Sequence, residues 1–257
     1  MVAVVIAAPW VTAFDGLSVF GGRFSLADAE AVLGPEAVDA LDALRGAALL
    51  SVEAVGDAVG YRWLAPIRAV ATSRALANGQ ARRARAALHA HYDAQAAGYL
   101  RDVDPERFGI RVAPRIDDGW LDALDCDDPP LAVEVFVVVA DAAGLRTPGE
   151  RVLRIVDRGL ARATDPVHVA RLLLARAQVK LQQLDDAPGA LADVEEAARI
   201  PVTAGWLIGS IAALRGFVLI ALGRFGEAER ALREGLTRAP PVTCAMSAPS
   251  ASPFAAR

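Results

Sequence analysis

Two spacings of apolar residues alternate along this chain, and the places where one replaces the other divide it into pieces. Leu26 to Leu33 is short and amphipathic. Ser25 stands where a helix N-cap belongs, Asp28 falls near the positive helix end, and Gly34-Pro35 stops the run. From Glu36 to Ala47, Val38, Leu41 and Leu44 recur at helical spacing and predict a second helix. The period then changes. Ala48 to Val55 reads as a strand, Gly56-Asp57-Ala58 as a turn, and Val59 to Leu64 as the returning strand. Pro66 suits a first helical turn, so Ile67 to Leu76 is predicted as helix, closed by Asn78-Gly79, with a further helix over Gln80 to Leu100. Helix, helix, two-stranded ribbon, helix is the order of a winged helix.

Residues 101–130 lose this periodicity. Pro105, Pro114, Pro129 and Pro130, with the acidic clusters Asp117-Asp118 and Asp125-Cys126-Asp127-Asp128, predict a linker in which only Trp120 to Leu124 forms a docked helical turn or two. Beyond Leu131 the chain repeats itself. Arg158-Gly159-Leu160-Ala161-Arg162-Ala163 aligns with Glu234-Gly235-Leu236-Thr237-Arg238-Ala239, 76 residues or two steps of 38 later, and Glu196-Ala197-Ala198-Arg199 falls between them. At that step Val152, Ala190 and Ala228 correspond, as do Val156, Val194 and Leu232. Each unit reads as two antiparallel helices, with turns at Gly144 to Gly149, Asp185 to Gly189 and Gly223 to Gly226. A fixed period of about 20–50 residues signals a solenoid, because one hairpin cannot bury its own apolar face.

The expected fold is therefore mainly α: a small winged-helix domain with its trailing helix over 15–100, the linker over 101–130, and a solenoid of helical hairpins over 131–240. Residues 1–14 are expected to be an apolar N-terminal remnant, and the Ser, Ala and Pro of 241–257 predict a disordered tail.

Composition narrows the function classes. In 257 residues the net charge is −4 and the pI about 5.5, which argues against nucleic acid as the main partner. The hydropathy comes from alanine, and no apolar run reaches the ~18 residues of a membrane span. Met1 to Ala8 lacks the basic residue and the length of a secretory signal. Cys126 and Cys244 are too few and too far apart for a disulfide framework, which favours a reduced, cytoplasmic setting.

The last repeat carries Gly216, Leu219, Leu222-Gly223-Arg224-Phe225-Gly226-Glu227-Ala228, Leu232, Gly235-Leu236 and Pro240. It resembles a tetratricopeptide repeat, with small residues where helices cross, an aromatic and a closing proline. Arg215 and Ala212 depart from that pattern, so loose packing of its first helix is expected, and 38 exceeds the usual period of about 34. In the front piece, Leu17-Ser18-Val19-Phe20-Gly21-Gly22-Arg23-Phe24-Ser25-Leu26-Ala27-Asp28-Ala29-Glu30-Ala31-Val32 and Tyr61-Arg62-Trp63-Leu64-Ala65-Pro66-Ile67-Arg68-Ala69-Val70-Ala71 are similar to segments of the STAND class of bacterial signalling ATPases. In that class, regulators and some receptor kinases place an ATPase module before a winged helix and tetratricopeptide-type repeats. The phosphate loop GxxxxGK[ST] does not occur here. Lys180, the only lysine, lies inside a repeat helix. The resemblance then implies a reading frame that starts inside a longer gene, or a truncated relative.

Chemistry-bearing residues are sparse. His89 and His91, two apart on a helix, point in opposite directions and read as a solvated face, and His168 stands alone. The run Asp125 to Asp128 lacks the glycine and terminal glutamate of a calcium loop. No GxSxG occurs. No catalytic, cofactor-binding or metal-binding residue is therefore assigned, and no enzyme activity is expected. Glu36, Asp39 and Asp42 against one Arg45 on the second helix would repel DNA. The leading expectation is a non-enzymatic regulatory module that binds a protein or peptide along its repeats. The partner-binding residues predicted from register are Arg176, Gln182, Gln183, Ser210 and Phe217. A DNA-binding transcription regulator and a fragment of an ATP-dependent switch are the alternatives.

Overall fold

The computed structural model describes residues 10–55, 58–103, 111–125, 130–143 and 147–238. The two cysteines, the apolar residues 1–9, the ribbon tip and the expected tail lie outside them. The described residues are mainly helical, with one small antiparallel sheet among them.

The front of the chain runs α1 (Val11–Gly16), β1 (Arg23–Ser25), α2 (Leu26–Leu33), α3 (Ala37–Gly46), β2 (Leu50–Val55), β3 (Ala58–Trp63), α4 (Ala65–Ala77) and α5 (Gln80–Asp102). The ribbon gains a third strand: β1 pairs with β3, Phe24 opposite Tyr61, giving the order β1-β3-β2. Three residues around a Gly-Gly pair are too short to show a period of two, so the sequence predicts only two strands. Ser25 caps α2 reciprocally. Its Oγ accepts the Asp28 N–H at 3.2 Å, while the Asp28 carboxylate accepts the Ser25 N–H at 2.8 Å. On α3 the inward face is Ala37, Ala40, Leu41 and Leu44, and Val38 is half-exposed. Trp63 Nε1 donates to the Leu17 carbonyl at 2.9 Å, and the Trp63 ring meets Phe14 edge to face, which ties β3 to α1.

Residues 111–125 are not a free linker. Val112, Ile116, Trp120, Leu121 and Leu124 are buried in the same core as Phe14, Leu41 and Tyr92. Trp120, on α6 (Asp118–Leu124), stacks on Tyr92 with ring centroids 4.5 Å apart. Proline and aspartate hide this role: Pro114 opens a 3-10 turn, and Asp117 caps α6 by accepting the Gly119 N–H at 3.0 Å.

Three helical hairpins follow: α7 (Val133–Ala143) with α8 (Gly149–Leu160), α9 (Pro166–Gln183) with α10 (Ala187–Arg199), and α11 (Gly205–Ala221) with α12 (Phe225–Arg238). The second helices begin at Gly149, Ala187 and Phe225, two steps of 38, as the sequence predicts. The first helices begin at Val133, Pro166 and Gly205, steps of 33 and 39, because α7 has 11 residues where α9 has 18. The first helices α9 and α11 each pack on their own partner and on the hairpin before them. The two cores meet in α9. Leu172, Ala175 and Val179 face the front core, while Ala170, Leu173 and Ala177 face the back core, two sets each spaced i, i+3, i+7. The front core also crosses the expected domain boundary at 130, because α5 and α6 pack directly on α7.

Small residues sit where helices cross. A Cβ built on Gly159 would stand 2.9 Å from Phe136 Cβ, and one on Gly235 would stand 2.2 Å from Ala212 Cβ. Ala212, where looseness is predicted, thus makes the tight contact. A cavity of about 250 Å³, lined by Ile211, Arg215 and Gly235, opens beside it. Gly226 in the first turn of α12 meets nothing within 4 Å. Gly235→Ala is therefore expected to lower stability by about 1–2 kcal/mol despite alanine's higher helix propensity, and Gly226→Ala to raise it by about 0.5–1 kcal/mol. Urea melts that moved both variants in the same direction would refute the crossing at Gly235.

Candidate functional site

The first helices of the second and third hairpins, α9 and α11, each turn one face to a groove of about 430 Å³, to which α7 adds Asp141. At helical spacing α9 supplies Arg171, Leu174, Gln178 and Gln182, and α11 supplies Trp206, Ser210, Leu214 and Phe217. The two glutamines are exposed, and Phe217 is 64% exposed. Ser210 Oγ donates to the Trp206 carbonyl at 2.9 Å, which leaves its acceptor capacity unused in that bond. At the α7 end, Arg171 Nε donates to the Asp141 carboxylate at 2.8 Å, with its Nη2 on the same oxygen. The Arg171 guanidinium also lies 5.3 Å from the centre of the Trp206 ring, a cation–π contact that fixes the indole. Burial pushes the Asp141 carboxyl up, and the facing Arg171 pulls it back. The groove thus offers aromatic faces, amide donors and acceptors and one satisfied ion pair, with no nucleophile beside a base.

Three of the five predicted residues, Gln182, Ser210 and Phe217, share this groove. The other two do not. Arg176 points between hairpins, its guanidinium donating to Asp157 of α8 at 3.0 Å and to Asp193 of α10 at 2.8 Å. Asp193 is buried and also forms an ion pair with Lys180, Nζ to carboxylate 2.8 Å. Residue 176 precedes the groove-facing 178 by two positions, about 200° around the helix, so its side chain goes to the opposite face. Gln183 lies by the start of α8, where a Cβ on Gly149 would stand 3.1 Å from its Oε1. Sequence reasoning missed Trp206 and Arg171. A spacing of four from Trp206 to Ser210, and from Gln178 to Gln182, was the available signal.

A second polar cluster lies at the front. Asp117, Asp28, Arg23 and Gln95 line a cavity of about 290 Å³ beside Trp120 and Tyr99. Burial raises the Asp117 carboxyl to about 7, with the negative Asp28 adding to it, against the N–H groups of Gly119 and Trp120 and the charge of Arg23. Both carboxylates already serve as helix caps, at α2 and at α6. His91 Nε2 stands 3.5 Å from Asp28 and 2.6 Å from the Gln95 amide. His89 is buried, contrary to the solvated face predicted for it, because the inner face of α5 runs Leu88, His89, Tyr92 and Ala96. Burial and the nearby Arg85 lower its pKa.

Among the described residues no cluster of three His, Cys, Asp or Glu side chains could hold a metal ion, and no helix is long and apolar enough to cross a membrane. The chain matches no protein-family model, no curated protein and no solved structure.

Proposed function

We propose that this chain is a non-enzymatic interaction module, a winged-helix-like front joined to tetratricopeptide-type hairpins whose inner groove takes a protein or peptide partner. The observation that carries the reading is the groove itself. First helices of two consecutive hairpins line it, α7 adds Asp141, and it holds an exposed aromatic anchor, Phe217, at one end and a fixed indole, Trp206, at the other. The order helix, strand, helix, helix, strand, strand, with strand order β1-β3-β2, supports the winged-helix assignment. The 38-residue step and the glycine and alanine crossings support the repeat assignment. The solvent face of α3 carries Asp39 and Asp42, the latter paired with Arg45 at 3.1 Å, and this charge favours a protein-facing role over a duplex.

A partner for such a groove is an extended or helical segment that places one large apolar side chain against Phe217 and Trp206 and backbone amides against Gln178 and Gln182. Peptides selected from a displayed random library on the full chain should bind with micromolar affinity. Phe217→Ala should weaken them by about tenfold or more, the scale of an aromatic hot spot, with stability unchanged. Gln182→Ala should weaken them less. Selected peptides whose affinity ignores both substitutions would contradict the reading.

A further inference from the structure

A stack of hairpins has two ends, and in an isolated stack both outer faces are ordinarily polar. In this chain the front end is closed by α5 and α6, which pack on α7. The back end is different. Val194 of α10 is fully buried, whereas its counterpart one step of 38 later, Leu232 of α12, is 37% exposed. Leu181 of α9 packs against the back core, whereas Ile220, one step of 39 later on α11, is nearly half exposed. Phe225 and Leu236 extend the same strip at 67% and 80% exposure. Phe225, Leu232 and Leu236 fall within about 40° of one another around the α12 axis and span about 16 Å along it.

The charges beside this strip are ordered. Glu229 and Arg233 flank it on the solvent side, 2.6 Å apart as an i, i+4 pair. Read from the N-terminus the flank is acidic and then basic. An antiparallel copy reads basic and then acidic, so each Glu229 faces the Arg233 of the other copy while each Phe225 meets the other Leu236. Helix dipoles also oppose favourably in that arrangement. We propose that this end of the stack is a self-association surface, α12 of one copy packing antiparallel on α12 of a second copy about a two-fold axis. The contact is isologous and closes at two chains.

Sedimentation velocity on the full chain, over about 1 to 200 µM, tests it through the concentration dependence of mass action. The mass should rise from 26.9 kDa to twice that value. Leu236→Glu should raise the dissociation constant at least tenfold while leaving the melting curve of the monomer unchanged, since the side chain is exposed. Glu229→Arg should also dissociate the pair, and adding Arg233→Glu to it should restore the dimer. A chain that is monomeric throughout overturns the proposal, as does a dimer that Leu236→Glu leaves intact. Full-length monomers that dimerise only after truncation beyond Arg238 overturn it too, since the strip would then be covered by the chain's own last residues.

Discussion

Arg176→Ala is expected to destabilise the protein by roughly 2–4 kcal/mol without weakening peptide binding by the folded fraction. The guanidinium joins Asp157 of α8 to Asp193 of α10, so it holds the first hairpin to the second. Asp193 is buried, and its removal from water is offset only while Arg176 and Lys180 face it. Alanine leaves that carboxylate with Lys180 alone, at a distance of 2.8 Å. A buried charge deprived of a partner costs more than the pair contributes, which sets the scale. Gln182→Ala, on the exposed groove face of the same helix, should change stability by about 0.5 kcal/mol or less. Urea melts of the two variants separate the roles. Equal midpoints for both would mean that Arg176 does not bridge the hairpins.

Asp117 should contribute a loss of stability as pH rises from about 4 to about 7, because burial holds its carboxyl protonated. Burial holds its folded pKa at about 7, against an ordinary 3.8. Between those values the unfolded chain has lost this proton and the folded chain still holds it, so raising the pH favours unfolding; above 7 the effect levels off. A gap of about three units corresponds to at most about 4 kcal/mol. Asp117→Asn keeps a good N-cap for the Gly119 N–H and removes the titration. Relative to the parent, the Asn variant should therefore gain about 2 kcal/mol or more at pH 8 and little at pH 4. Tyr92, Asp28 and Arg23 face residue 117 in both proteins, so the comparison isolates the substituted carboxyl. Parallel stability curves for the two proteins across pH 4–8 would remove Asp117 from this role.

Most helices of this chain were legible because each face has one neighbour. Ser25, Pro66 and Asn78-Gly79 mark their boundaries through local chemistry, which tertiary packing did not override. The 38-residue step survived for the same reason: the second helices repeat Val152, Ala190 and Ala228 in one buried position. What was hidden depends on residues far apart in sequence. β1 is defined only by β3, and residues 111–125 are core only because Tyr92 and Phe14 lie beneath them. Arg176 and Gln182 lie six apart on one helix and cannot be told apart as partner-facing or hairpin-facing until the rotation of α9 between two cores is known. That rotation also conceals Arg171 and Trp206, whose contact joins residues 35 apart.

The central claim is that the groove formed by α7, α9 and α11 is where a partner binds, and the four tryptophans provide the most direct readout. Trp206 lies in the groove, whereas Trp120 is buried in the front core and the Trp63 indole is committed to the Leu17 carbonyl. In a titration of nitrogen-labelled protein with a selected peptide, the indole N–H resonance of Trp206, assigned by Trp206→Phe, should shift while those of Trp63 and Trp120 stay in place. Saturable binding that moves the Trp63 or Trp120 resonance and leaves that of Trp206 unchanged would contradict the account.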